Sequence, residues 1–175
     1  MTEIINKLLS LGTLLSHIFL IIAIILLLIT KEKNFIKDFF GKHGLLFAWL
    51  IALFSAVLSL YYSEIVGFEP CSLCWWQRVF IYPQAIFLGI AYFKKEFQHS
   101  SLYAIVLSII GGVIGIYQNA LYYGAPQIGA CDGSATAVSC TKLYILEFGY
   151  ITIPIMSLTA FLLIIFFLNL ARKSK

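Results

Sequence analysis

The stretch Pro70-Cys71-Ser72-Leu73-Cys74-Trp75-Trp76-Gln77-Arg78-Val79-Phe80-Ile81-Tyr82-Pro83 joins two thiols to the start of an apolar run. That run continues to Phe93, and Arg78 is the one charge inside it. A helix needs about 20 apolar residues to cross the hydrocarbon core of a bilayer. Trp75–Phe93 therefore reads as a membrane span with the cysteine pair at its mouth. Working outward, Leu8–Ile29, Leu45–Ser63, Leu102–Leu121 and Ile151–Leu170 read the same way, and His17 is the only side chain in them that could add a charge near neutral pH. The expectation is an all-α membrane protein of about five spans.

Composition agrees. Of 175 residues, 61% are hydrophobic and 11% charged, whereas a soluble domain carries roughly a quarter charged residues. The formal charge of +4 sits in short clusters between apolar runs and does not point to nucleic acid. No internal repeat or low-complexity tail is present. The longest connection, Tyr122 to Tyr150, is too short to fold alone without staples. The first apolar run exceeds the roughly 7–15 residues of a signal-peptide core and lacks a small-x-small cleavage site after it. Thr30-Lys31-Glu32-Lys33 reads as a stop at the membrane edge, so the run is expected to be retained.

Lys and Arg in short loops set orientation. Lys31, Lys33, Lys37, Lys42, Lys94, Lys95, Arg172, Lys173 and Lys175 fall on one side, nine of the twelve basic residues. Lys7 and Lys142 fall on the other, with Arg78 at its edge. The N-terminus is thus expected outside and the C-terminus in the cytoplasm. Loops Glu64–Cys74 and Tyr122–Tyr150 then face outward. They contain all four cysteines, Cys71, Cys74, Cys131 and Cys140. Disulfides persist outside the cytosol. Four cysteines allow three connectivities, of which nearest-neighbour pairing is favoured by loop closure. A structural staple is a fair alternative for Cys131 and Cys140, with eight residues between them in a chain of small residues. It is a weaker one for Cys71 and Cys74, because so small a ring restrains little chain. A four-thiolate zinc site is disfavoured by the wide second spacing and by an oxidising compartment, and no metal is expected.

Reactivity requires a thiolate. Cys71 and Cys74 sit where a helix N-terminus emerges, and the helix dipole favours an anion there. Arg78, four residues after Cys74, lies on the same face one turn deeper. A cation at that depth is a functional candidate, the alternative being an arginine that snorkels to the headgroups. Trp75, Trp76, Phe80 and Tyr82 read either as an interfacial belt or as a flat apolar slot beside the dithiol, suited to a lipid-soluble quinone. Gly111 and Gly115 form a small-xxx-small pair for helix packing. Gly124, Gly129 and Gly133 allow the second loop to move. Leu143–Tyr150 either lies flat on the membrane or begins the last span. His17, His43 and His99 are scattered and read as ordinary.

The stretch Leu60–Glu64 with Pro70–Pro83, and the late segment Ile151-Thr152-Ile153-Pro154-Ile155-Met156-Ser157-Leu158, resemble the bacterial DsbB family, and most of all its BdbC branch. The likeness covers roughly Leu45 to Leu170. It implies a DsbB-like four-helix transmembrane bundle, here preceded by an extra N-terminal transmembrane helix. The chain then divides into an extension, residues 1–43, and a bundle, residues 44–175. The resemblance further implies a thiol:quinone oxidoreductase in the bacterial plasma membrane. Cys71 and Cys74 match the pair that serves ubiquinone or menaquinone, with Cys74 the quinone-contacting thiol and Arg78 the arginine needed for quinone use. Cys131 and Cys140 match the pair that oxidises an extracytoplasmic thioredoxin-like partner, with Cys131 forming the mixed disulfide. That second pair is expected to be the more exposed. A vitamin K epoxide reductase-like protein would have its two pairs in the reverse order. A membrane assembly or transport protein would keep both pairs oxidised as staples.

Overall fold

The computed structural model describes residues 2–29, 35–127, 131 and 139–173, and the side chains of these except 35–38 and 173. The stop signal Thr30–Lys33, the side chains of Lys37 and Lys173, Lys175, and the small residues 129–130 and 132–138, Gly129 and Gly133 among them, lie outside that description.

Five helices follow one another: α1 (Thr2–Ile29), α2 (Phe35–Leu60), α3 (Ser72–Lys94), α4 (Gln98–Tyr122) and α5 (Ile153–Lys173). A short π-helical turn, Tyr61–Ile65, ends α2. Helices α1, α2, α4 and α5 are long and apolar enough to cross a membrane. At 23 residues, α3 is about 35 Å long at ~1.5 Å per residue. It is less apolar because Gln77, Arg78 and Gln84 lie along it, all buried. The chain is a multi-pass membrane protein.

Helices α2, α3, α4 and α5 close a ring in which α2 packs on α3 and α5, and α4 on α3 and α5. Lipid offers helices no hydrophobic drive to associate, so small residues and interhelical hydrogen bonds must hold them. Both are present. A Cβ on Gly111 would strike the Phe161 ring, and one on Gly44 would strike the Phe167 backbone. Ala48, Ala52 and Ala104 are fully buried beside Leu88, Phe161 and Ile164. Between α3 and α4, Gln77 Nε2 donates to Gln118 Oε1, and Ser108 Oγ donates to Gln84 Oε1 at 3.0 Å.

Helix α1 stands outside the ring, against α5. From Leu8 onward its exposed side chains are apolar, Leu15, Ile22 and Leu28 among them. Its inner seam is Asn6, Ser10, Thr13, His17, Leu20 and Ala23, spaced three or four apart on one helix face. Tyr62 Oη donates to Asn6 Oδ1 at 2.7 Å, tying the start of α1 to the end of α2. Deeper in, His17 Nδ1 meets Tyr150 Oη at 3.1 Å and Nε2 meets Thr159 Oγ1 at 2.7 Å. His17 is thus no ordinary histidine but the polar tie between α1 and α5.

The last helix begins at Ile153, so Leu143–Tyr150 is not its early turn. That segment forms turns closed by a Glu147–Ile151 bridge. Its Tyr144 ring stacks on Phe68 at 4.5 Å, and its hydroxyl donates to the Glu69 carbonyl at 3.0 Å. These contacts fasten the second loop onto the first, at the end of the bundle where the cysteines lie.

Candidate functional site

Cys71 is the N-cap of α3, with extended backbone (φ −72°, ψ 172°), and its carbonyl accepts the first helical bond from Trp75 at 3.1 Å. Pro70 favours this arrangement because a residue before proline is driven out of helical space, which delays the helix until after it. Cys74 falls in the first turn. The two sulfurs stand 3.0 Å apart as free thiols. The helix start expected at the motif is therefore present, and its N–H groups favour an anion on this pair.

A buried glutamine serves both sulfurs. Gln118 Nε2 donates to Cys71 Sγ and to Cys74 Sγ, each at 3.2 Å. Its oxygen is taken up by Gln77, so the amide nitrogen is the end left facing sulfur. Sequence reasoning missed Gln118. The available signal was an amide within the apolar run Leu102–Leu121, since a buried amide in a membrane needs partners. The hydrogen bond shared with Cys74, and then burial, push the Cys71 thiol above the usual cysteine range. With its proton held there, Cys71 leaves Cys74 as the sulfur free to carry charge.

Arg78 does not snorkel. It is 8% exposed, and its Nη2 donates to the Ser59 carbonyl at 3.1 Å. The π-helical turn just beyond Ser59 displaces the backbone bonds by one residue, as in Val66 N–H to the Tyr61 carbonyl. Such turns recur at functional sites. The guanidinium also lies 4.9 Å from the Trp75 ring centroid.

Cys74, Gln77, Arg78 and Gln118 line a cavity of about 240 Å³. Its other walls are Ser55, Leu58 and Ser59 of α2, Tyr62 of the π-helical turn, Phe68 to Pro70, Ile81 of α3, Tyr144, the N-terminal part of α5 from Ile153 to Ala160, and Leu9 and Thr13 of α1. The apolar slot expected from Trp75, Trp76, Phe80 and Tyr82 is not this cavity, which none of the four lines. Trp75 and Trp76 are exposed and fit the interfacial belt instead. Helical geometry gives the reason. At about 100° per residue, Trp75 and Trp76 turn away from Cys74, whereas Gln77, Arg78 and Ile81 return to its face.

Cys131 and Cys140 form a disulfide. It lies against the first pair, with Ser72 Oγ 3.5 Å from Cys140 Sγ and 3.8 Å from Cys131 Sγ. Cys71, Leu121, Cys131 and Cys140 make one buried cluster. The expectation that this is the more exposed pair is overturned. Cys131 is 3% and Cys140 1% exposed, while Cys74 is only half-buried. The cause is the loop's docking, which lays the disulfide on the mouth of α3 beside Leu121. Gly111 and Gly115 do act in packing, where α4 meets Phe161 and Leu158 of α5.

Comparison with known proteins adds a family match and three relatives. Residues 41–171 match the family model for disulfide bond formation protein DsbB. A protein of Bacillus subtilis named disulfide bond formation protein C is 40% identical over 128 residues, covering 73% of this chain and 91% of its own. A probable disulfide formation protein of Chlamydia caviae is 40% identical over 139 residues, covering 78% of this chain and 97% of its own. A probable disulfide formation protein C of Bacillus cereus is likewise 40% identical, over 126 residues, covering 70% of this chain and 87% of its own. No solved structure matches. With a family match across α2 to α5 and relatives at this identity, the chain belongs to the DsbB family of disulfide bond formation proteins.

Proposed function

We propose that this protein is a membrane thiol oxidase that reoxidises an extracytoplasmic thioredoxin-like partner and passes the electrons to a membrane quinone. It would reside in the bacterial plasma membrane with the cysteine-bearing end outward, as the bias of Lys and Arg requires. The relatives named for disulfide formation support the first half of this reading. The observation that carries the second half is the cavity beside Cys74. Its walls are mainly apolar, and Cys74 and Arg78 of one helix face line it together. A flat, lipid-soluble ring with oxygens on its rim fits that lining, since the Arg78 guanidinium, a fork of five N–H donors, lines the cavity one turn from Cys74.

The chemistry balances as two disulfide exchanges and one two-electron transfer. A partner thiolate attacks Cys131, and Cys140 leaves as a thiolate. The partner's second thiol then releases Cys131, so the partner departs oxidised and the second pair becomes a dithiol. That dithiol next attacks the Cys71–Cys74 disulfide, regenerating Cys131–Cys140 and leaving the first pair reduced. Each exchange needs a thiolate, access and a good leaving sulfur. A bound quinone would supply the acceptor for two electrons and two protons, leaving as quinol. The chain's own residues prepare that step: Cys71 retains a proton, the helix N-terminus and Arg78 favour charge on Cys74, and Gln118 holds both sulfurs in register.

The test uses the full-length protein in lipid nanodiscs, with dithiothreitol as the dithiol and a short-chain quinone as acceptor. Cys74→Ala is expected to bring quinol formation down to the protein-free background. Quinol formation at the wild-type rate by Cys74→Ala protein would refute the assignment.

A further inference from the structure

We propose that α1, which lies outside the family-matched residues 41–171, is a working wall of the redox cavity, and that Thr13 and Leu9 set which quinones reach Cys74. The inference rests on the quinone reading above and adds to it a specificity-determining element.

The cavity needs such a wall because its own ring opens there. Helices α2 and α5 approach closely at their inner ends, where Gly44 meets the Phe167 backbone with no room for a Cβ. At their outer ends both helices line the cavity, α2 through Ser55 to Ser59 and α5 through Ile153 to Ala160, so a space lies between them. Leu9 and Thr13 of α1 stand along that space and are the contribution of α1 to the lining.

The placement of α1 is specified rather than incidental. Most of its surface is exposed apolar side chain, which lipid satisfies in any orientation. Its hydrogen bonds to the ring bracket the two wall residues along the helix. Asn6 holds Tyr62, itself a cavity residue, on one side of them. His17 holds Thr159 and Tyr150 on the other. Between the ties, Ser10 and Thr13 are small and buried, which permits close approach. The Thr13 hydroxyl is taken up within the helix by the Leu9 carbonyl at 2.8 Å. Thr13 therefore offers the cavity bulk and apolar surface rather than a donor. That chemistry sets size and leaves recognition of ring oxygens to Arg78.

The experiment again uses the full chain in nanodiscs with dithiothreitol, comparing a short-chain quinone with a long-chain isoprenoid quinone. Thr13→Trp should raise KM roughly tenfold or more for the long-chain quinone and by a smaller factor for the short-chain one, because lost room weakens binding before it touches chemistry. The single-turnover oxidation of dithiothreitol by the Cys131–Cys140 disulfide, measured without quinone, should stay unchanged. Leu15→Trp, on the exposed face of the same helix, should leave KM alone. Wild-type KM in Thr13→Trp protein, or an equal rise in Leu15→Trp protein, would overturn the inference while leaving the quinone reading intact. If Thr13→Trp protein also loses the single-turnover reaction and so has lost its fold, Leu9→Phe at a half-buried position decides by the same comparison. A wild-type protein that reduces neither quinone would instead overturn the underlying reading.

Discussion

At the scale of single residues, the site depends on amides as much as on thiols. Gln118 donates to both sulfurs of the first pair and is itself oriented by Gln77. A hydrogen bond to a charged group contributes about 1.5–3 kcal/mol. Gln118→Leu is therefore expected to lower the rate of quinol formation by roughly tenfold or more, read by stopped-flow absorbance at saturating quinone. An unchanged rate in correctly inserted protein would exclude this role for Gln118. The thiols and Arg78 were legible in the sequence because their type and spacing announce chemistry. Gln118 was not, since an uncharged amide near the end of an apolar run reads as a boundary residue. Its meaning comes from α3, a separate helix that brings Gln77 and two sulfurs to it.

At the scale of helices, the apolar runs were legible because a bilayer imposes length and composition on each one. Which face a helix turns inward was less so. The aromatic cluster after Cys74 suggested a slot, yet Trp75 and Trp76 point outward while Gln77 and Arg78 point in. In a span flanked by both lipid and protein, apolar residues fit either side, and only the polar ones declare the interior. The α4–α5 contact shows the same constraint from the side of size. Gly111 leaves room for Phe161, the largest fully buried side chain among the described residues. Gly111→Leu should overpack this contact and destabilise the bundle by roughly 1–3 kcal/mol. Unfolding in mixed detergent micelles reads the change, and a wild-type midpoint would mean that the two helices separate without cost.

At the scale of the whole molecule, α1 is attached by few polar ties and by Phe19, which packs on Phe40, Phe166 and Phe167, so each tie matters. Interhelical hydrogen bonds in membranes average about 0.6 kcal/mol, which makes the two bonds of His17 worth roughly 1 kcal/mol together. His17→Leu should keep the four-helix ring folded yet loosen α1, seen as faster amide hydrogen exchange confined to α1. Unaltered exchange would mean that α1 is held by shape alone. The seam was present in the sequence as Asn6, Ser10, Thr13 and His17 at helical spacing, but without a ring to face it read as an ordinary span. The buried Cys131–Cys140 disulfide has a consequence for timing. A protein partner cannot reach those sulfurs while they rest on Ser72 beside the first pair. Under the proposed function, the loop must lift to receive electrons and settle to deliver them. The protein then works as a turnstile: while the outer door is open the inner circuit is broken, and a visiting thiol has no direct route to the membrane oxidant.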